Sequence, residues 1–149
     1  MEGNVRHDFE NLTAFALELA RVSAAAILPH FRMPLKVDSK LIGDFDPVTV
    51  ADRAGEVAMR SLIEKRFPEH GIIGEEYGQT DSHSGYSWVL DPIDGTKSFI
   101  IGFPAWATLI GLTFEGRAII GLMSQPYVGE MFVGSSVLGS RLIRNGEST

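Results

Sequence analysis

Hydrophobic residues recur at helical spacing along two segments in the first half of the chain. The first segment spans 9–31 and predicts a long amphipathic helix that stops near Pro29 to Pro34. The second begins at Asp46-Pro47, where aspartate is a typical N-cap and proline suits the first helical position, and it ends near Phe67-Pro68. The predicted buried faces are Phe9, Leu12, Ala16, Leu19, Ser23 and Ile27 in the first helix, and Val50, Ala54, Val57, Ala58, Ser61 and Leu62 in the second.

The second half of the chain has the short apolar runs and turn residues of a β-sheet. Glu115-Gly116 separates two alternating segments and predicts a hairpin, whereas 34–46 and 77–85 have the composition of loops. The pattern therefore predicts a single α+β domain, in which two N-terminal helices pack on an antiparallel sheet. The predicted strands are 71–74, 87–90, 106–114, 117–123, 130–133 and 141–143.

Composition and charge narrow the classes of function. The 149 residues carry a net charge of -6, which argues against a general nucleic-acid or anionic-membrane surface. The chain contains no cysteine, so disulfides, thiolate zinc sites and cysteine nucleophiles are excluded. The start of the chain is polar and acidic, and no apolar run is expected to reach membrane-spanning length. We therefore expect a cytoplasmic protein with no nucleic-acid or membrane partner.

Three acidic motifs follow or begin the predicted elements. They are DPVTVAD, which ends at Asp52, then Glu75-Glu76 after a short strand, and DPIDGT, which spans 91–96 after another strand. Taken singly, each has an ordinary structural interpretation as a helix cap, an exposed surface or a turn. Two of the three follow apolar strands, whose ends converge at one edge of a sheet. Their carboxylates would repel each other unless a cation lay between them.

The donor atoms of these motifs favour magnesium and a phosphate ligand. Magnesium prefers oxygen ligands and keeps waters that a phosphorylated substrate can replace. The four histidines, His7, His30, His70 and His83, are scattered and are expected at surface or capping positions, which disfavours zinc and copper. Gly95 permits close approach of a ligand, and the residues from Thr96 onward can open a short helix whose amides favour an anion. The chemistry predicted from the residues is hydrolysis of a phosphate monoester.

The spacing within DPIDGT separates two designs of phosphatase. Enzymes similar to haloacid dehalogenase place two aspartates two residues apart, and the first aspartate is a covalent nucleophile. Here Asp91 and Asp94 are three residues apart, and the doubly wound βα pattern is missing. The covalent mechanism is therefore disfavoured.

The three motifs, taken in this order, resemble the inositol monophosphatase superfamily of magnesium-dependent, lithium-sensitive phosphatases. The resemblance runs from the first helix to about Gly146 and rests on D-P-V-T-x-x-D, G-E-E and W-V-L-D-P-I-D-G-T-x-S-F. It implies that this chain is the N-terminal half of a layered α/β sugar-phosphatase fold. Members of the superfamily continue into a second α/β region that completes a metal site and much of a homodimer surface, and residues 1–149 lack that region.

The resemblance also implies a ligand set for two or three magnesium ions. Glu75, Asp91 and the backbone carbonyl of Ile93 would hold the first ion. Asp91 would bridge to a second ion, which Asp94 also binds. Glu76 would support the site or a weaker third ion.

The remaining implied roles concern water, phosphate and substrate. Asp52 and Thr96 would orient and activate the attacking water beside Glu75, and the amides of Gly95 and Thr96 would receive the phosphate. A mobile loop would fall at about Lys36 to Asp44. The local sequence looks more like the bacterial histidinol-phosphate phosphatase branch, within histidine biosynthesis, than like the animal inositol monophosphatases. Histidinol phosphate is the favoured substrate and inositol phosphate is the alternative. A metal-binding fragment without turnover is the alternative from another class, for which an exposed apolar sheet edge is expected.

Overall fold

The structure of the protein, a computed structural model, describes residues 2–33 and 47–148. Helix α1 spans Glu2–Ile27 and continues into a 3₁₀ turn at Leu28–His30. Helix α2 spans Pro47–Arg66, and α3 is a short helix at Thr96–Ile100. The predictions of a loop at 34–46, of a mobile segment within it and of an N-cap at Asp46 concern residues outside the described ranges.

The strands form one sheet with the order β2-β1-β3-β4-β5-β6-β7-β8. Every neighbouring pair is antiparallel except β1 and β3, which run parallel. The α+β prediction is confirmed, but the sheet is mixed. The strands span Gly71–Gly74 (β1), Gly78–Thr80 (β2), Tyr86–Asp94 (β3), Ala107–Phe114 (β4), Arg117–Gln125 (β5), Glu130–Ser135 (β6), Gly139–Arg144 (β7) and Glu147–Ser148 (β8).

The parallel pair arises because β2 folds back on the outer edge of β1. The prediction of a loop over 77–85 was wrong for Gly78–Thr80, whose three residues pair with β1 although all are exposed. A fully exposed edge strand carries no apolar alternation, so the sequence pattern did not reveal it. After β2 the chain returns along the other side of β1, and β3 runs in the same direction as β1.

Both long helices cover one face of the sheet. Helix α1 packs across β4, β5 and β6, while α2 packs on β3 and against α1. Trp88 lies at the centre of this layer with no exposed surface, and the Phe15 ring meets it edge to face at 5.3 Å. The predicted buried face of α1 is confirmed, because its larger apolar residues lie in the core or pack against it.

The buried face of α2 differs from the prediction. Val50 and Val57 are exposed, whereas the helix turns Asp52 and Glu56 inward. The prediction from hydrophobic spacing was wrong because two of the inward positions carry acidic side chains, which such a pattern assigns to the surface. The buried positions of α2 are Ala51, Asp52, Gly55, Glu56, Met59 and Ile63.

The segment Asp8–His30 contradicts the expectation that no apolar run reaches membrane-spanning length. It is long and apolar enough to cross a bilayer, with a mean hydropathy of 1.5 in its most apolar window. Half of that window is buried inside the protein. Here the apolar side of the helix covers the sheet, as the core helix of a layered domain does.

The opposite face of the sheet carries an open groove of about 830 Å³. Gly111, Gly121 and Gly134 pair with one another across β4, β5 and β6, and the base of the groove is therefore free of side chains at these positions. Apolar side chains such as Leu109, Met123 and Phe132 border the groove. Both edge strands, β2 and β8, are exposed and polar. The exposed apolar surface that was expected at an edge of the sheet therefore lies on its open face instead.

His70 is not the surface or capping residue that was predicted. Its ring lies between those of Phe67 and Tyr86, with centroid distances of 4.6 and 5.0 Å. The Trp88 indole N–H donates to His70 Nδ1 at 3.1 Å, which requires that nitrogen to be unprotonated. Burial lowers the pKa of His70 below its ordinary value of 6.5. The residue is half-buried beside the core and has a structural role.

We expect acidification to destabilise the chain through His70. The pKa of His70 is lower in the folded state than in the unfolded state. The stability that the neutral ring contributes is therefore complete above pH 6.5 and is lost as the pH falls from 6.5 through the folded-state pKa. Urea unfolding of the wild type and His70→Asn at pH 7.5 and 5.5 checks this, because asparagine keeps an acceptor but does not titrate. Protonation of Asp52 and Asp91, whose pKa values are raised in the folded state, changes the unfolding free energy of both proteins equally. Relative to the variant, the wild type should therefore be less stable at pH 5.5 than at pH 7.5, and an unchanged difference would contradict the assignment.

Candidate metal and phosphate site at the ends of strands β1 and β3

Parallel pairing places Glu75 beside Asp91. Gly74 at the end of β1 pairs with Leu90 of β3, so the next residue of each strand emerges at the same edge of the sheet. The carboxyl groups of Glu75 and Asp91 interact closely enough for Glu75 to raise the pKa of Asp91. The structure thus brings together two of the three acidic motifs where the strand ends converge.

A β-bulge accounts for the three-residue spacing between Asp91 and Asp94. Asp91 pairs with Leu109 and Asp94 pairs with Ala107, so β3 contains one residue more than β4 between these pairs. Pro92 suits the bulge because it has no N–H to give to a ladder. Its carbonyl instead accepts a bond from the Thr108 hydroxyl at 2.8 Å. Bulges of this kind re-aim side chains near functional sites.

The third motif reaches the cluster through Asp52 on the inner face of α2. Burial raises the pKa of Asp52 to about 7, and the charges of Glu76, Glu75 and Asp91 add to the shift. Burial likewise raises the pKa of Asp91 to about 7, followed by its hydrogen bond and charge interaction with Glu75 and by the charge of Asp94. A backbone hydrogen bond from Ile93 opposes both shifts. The acidic residues therefore form one electrostatic cluster.

The cluster fits a hard divalent cation by the chemistry of its donors. Asp52 Oδ1 and Asp91 Oδ1 are buried and have no hydrogen-bond partner, which is costly for carboxylate oxygens. Within residues 2–33 and 47–148, no three Asp, Glu or His side chains are close enough to hold one ion by themselves. Magnesium does not need three, because it is usually bound through one or two carboxylates together with waters and substrate oxygens.

The residues after the bulge turn sharply into α3. Gly95 has a φ of 91°, and a Cβ there would lie 2.9 Å from the Ala105 carbonyl oxygen, so this position requires glycine. The Thr96 hydroxyl donates to the Ile93 carbonyl at 3.4 Å. The expected pairing of Thr96 with Asp52 is not the bond that this structure forms, and it stays a prediction.

The remaining predicted residue, Glu76, lies on the turn after β1. Its carboxylate is 3.4 Å from Arg53 Nε, and its backbone N–H donates to Glu56 Oε2 at 2.7 Å. Sequence reasoning missed Glu56 and its neighbour Arg60. The i, i+4 spacing from Asp52 to Glu56 to Arg60 was the available signal, because it places all three on one side of α2.

Fold and motifs together define the class to which the chain belongs. A sequence model of the inositol monophosphatase family matches residues 8–148, which is nearly the whole chain. The chain therefore belongs to the inositol monophosphatase family, as its motifs predicted.

Individual relatives and a solved structure agree with this assignment. The chain is 42% identical over 142 residues to the bifunctional phosphatase IMPL2, chloroplastic, of Arabidopsis thaliana, covering 94% of this chain and 40% of the relative. It is 41% identical over 132 residues to a histidinol-phosphatase of Chlorobaculum parvum, covering 88% and 49%. The solved structure of an inositol monophosphatase from Zymomonas mobilis superimposes with a TM-score of 0.79 at 44% identity, covering 94% and 52%. The chain thus spans about half the length of the proteins that it matches.

Proposed function

We propose that this chain forms the N-terminal part of a magnesium-dependent phosphate monoester hydrolase. The observation that carries the proposal is the acidic cluster at the converging ends of β1 and β3, in which buried carboxylate oxygens of Asp52 and Asp91 have no protein partner. A cation bound there relieves their mutual repulsion. A further α/β region beyond residues 1–149 would add contacts to the substrate and a ligand for the second ion, whereas this chain would hold the first ion and the attacking water. The half-length match to the relatives supports such a region.

The proposed ligands are the oxygen donors around the bulge. Glu75, Asp91 and the Ile93 carbonyl would hold a first ion. Asp91 and Asp94 would hold a second, and Glu76 would support the site or a weaker third ion. When bound, such ions neutralise the phosphate and lower the pKa of a bound water. The Ile93 carbonyl accepts one bond from Thr96 and keeps a second lone pair for this purpose.

The chain's own residues would orient the substrate and move the proton. The amides of Gly95 and Thr96, at the turn from β3 into α3, would hold the phosphate oxygens. Asp52 would accept the proton of the attacking water, and its unpartnered carboxylate oxygen supports this role. Thr96 would orient that water, and Glu75 would stand beside it.

The favoured substrate is histidinol phosphate, and inositol phosphate is the alternative. A relative that is 41% identical is named a histidinol-phosphatase, and a solved structure that is 44% identical is an inositol monophosphatase. A place in histidine biosynthesis, lithium sensitivity, a cytoplasmic location and a homodimer of the longer protein follow from the same proposal. A small phosphorylated metabolite, rather than nucleic acid or membrane, is the partner that the acidic chain favours.

A metal-binding fragment without turnover is the second candidate. The apolar groove on the open face of the sheet favours it, because a surface of this kind on half of an enzyme is usually covered by further structure. In that case the first ion would still bind through Glu75 and Asp91. The substrate would lack the contacts that the other half supplies.

Phosphate release by the 149-residue chain separates the two candidates. We expect magnesium-dependent release, faster with histidinol phosphate than with inositol 1-phosphate, when each is titrated with magnesium in parallel. Faster release from inositol 1-phosphate would make inositol phosphate the substrate in place of histidinol phosphate. Magnesium binding without release from either compound would favour the fragment, and metal-independent release would contradict the proposed mechanism.

A further inference from the structure

A buried carboxylate of α2 holds the turn that follows β1. The Glu56 side chain has no exposed surface. Its Oε2 accepts the backbone N–H of Glu76 at 2.7 Å, and its Oε1 accepts that of Tyr77 at 3.2 Å. These two amides follow directly after Glu75, so Glu56 fixes the backbone on the C-terminal side of a proposed metal ligand. Loss of one partner would leave a buried charge without compensation, so this arrangement is strongly held.

Arg60, one helical turn further along, balances this charge and holds the next part of the turn. Its Nε lies 2.7 Å from Glu56 Oε1, and the arginine side chain is only 11% exposed. The guanidinium also donates to the Gly78 carbonyl and, at 3.3 Å, to the Thr80 hydroxyl. The pair therefore ties α2 to both the turn and β2. We call Glu56 and Arg60 together the clamp. Because Arg60 neutralises Glu56, the clamp adds no net charge beside the acidic cluster.

Gly74 allows the clamp to close on the strand. A Cβ at this position would lie 1.9 Å from Glu56 Oε1 and 2.7 Å from an Arg60 terminal nitrogen. The Glu56 carboxylate thus occupies the space that a side chain on β1 would fill. The backbone of Glu75 is consequently fixed on both sides, by the pairing of Gly74 with Leu90 and by the bonds from Glu56 to the next two amides.

We propose that Glu56 and Arg60 are positioning residues that place Glu75 beside Asp91 and thereby set the affinity of the site for its divalent cation. The inference rests on the proposed function, since it concerns the same site. Neither residue is a ligand, because both functional groups are engaged with the turn and with each other. Residues that orient metal ligands in this way typically change metal affinity by 10–100-fold when replaced.

Magnesium titration calorimetry of the 149-residue chain tests the inference without requiring turnover. Glu56→Gln keeps one acceptor but loses the charge and turns an amide group toward a backbone N–H. We expect its magnesium dissociation constant to rise about tenfold or more. Arg60→Lys keeps the charge but loses the planar fork that spans Glu56 and the turn, so we expect a smaller rise of about threefold. If Glu56→Gln fails to fold, the milder Arg60→Lys still decides the question.

The matched control is Glu18→Gln, which removes another ion pair involving α2. Glu18 pairs with Arg66, the last residue of α2, at 3.6 Å, and both side chains are exposed. Its magnesium affinity should equal that of the wild type. If turnover is present, the magnesium concentration for half-maximal rate should rise in the clamp variants while kcat at saturating magnesium changes little.

The two proposals fail in different ways. A wild-type chain that binds no magnesium would overturn the proposed function and with it the basis of the clamp. A wild type that binds, together with folded Glu56→Gln and Arg60→Lys chains that bind equally well, would overturn the positioning role alone. Weaker binding in the clamp variants, with unchanged binding in Glu18→Gln, supports it.

Discussion

Asp91→Asn is expected to abolish magnesium binding while leaving the metal-free chain as stable as the wild type or more stable. Asp91 is the proposed ligand that both ions share. Its Oδ1 is buried without a partner, and burial and Glu75 raise its pKa to about 7. Asparagine keeps the shape but removes a charge that the fold does not satisfy. The loss of affinity should be about 100-fold or more, at the upper end of the effects known for groups around metal sites.

Thermal unfolding in EDTA and in excess magnesium measures both halves of this prediction. Magnesium should raise the unfolding temperature of the wild type, because a ligand that binds only the folded state stabilises it. The Asp91→Asn chain should show no such rise. Asp81→Asn is the matched control, since Asp81 is an exposed carboxylate on the loop after β2. Asp91→Asn stabilised by magnesium to the wild-type extent would contradict the proposed ligand set.

Asp52→Asn is expected to reduce the rate by about 10²–10⁴-fold while magnesium still binds, because this residue is proposed to accept the proton of the attacking water. Asparagine at 52 cannot take up a proton, although it retains the size and much of the hydrogen bonding of aspartate. The effect should therefore fall on kcat at saturating magnesium.

Steady-state phosphate release across a magnesium titration distinguishes a proton acceptor from a ligand. For Asp52→Asn, the magnesium concentration at half-maximal rate should stay within about threefold of the wild type. A rate that returns to the wild-type value when magnesium is raised would assign Asp52 to metal binding instead. If Asp52→Asn and the wild type have equal kcat, Asp52 takes no part in the mechanism.

The site could be predicted from the sequence where its residues are contiguous or follow strands. DPIDGT carries the bulge, the sharp turn at Gly95 and the start of α3 within a few residues, so its spacing helped to separate it from the pattern of the covalent phosphatases. The proximity of Glu75 and Asp91 followed from the expectation that strand ends converge at one edge of the sheet, and their parallel register shows why it holds.

The parts that escaped prediction are those in which polar residues are buried or apolar ones are exposed. Asp52 and Glu56 occupy the inward face of α2, so a count of hydrophobic residues placed that face at least about 100° around the helix axis, on Val50 and Val57. His70 was assigned to the surface, yet its neutral ring accepts a bond from Trp88 in the core. The clamp of Glu56 and Arg60 depends on contacts with a turn about 20 residues away, which no local pattern reveals.

The location of the bound metal tests the central claim most directly. Crystals of the 149-residue chain grown with manganese, a visible substitute for magnesium, would place the ion by its anomalous scattering. The account predicts a peak bounded by the carboxylates of Glu75 and Asp91 and by the Ile93 carbonyl. Manganese bound only elsewhere on the chain, or absent from this edge of the sheet at saturating concentration, would contradict it.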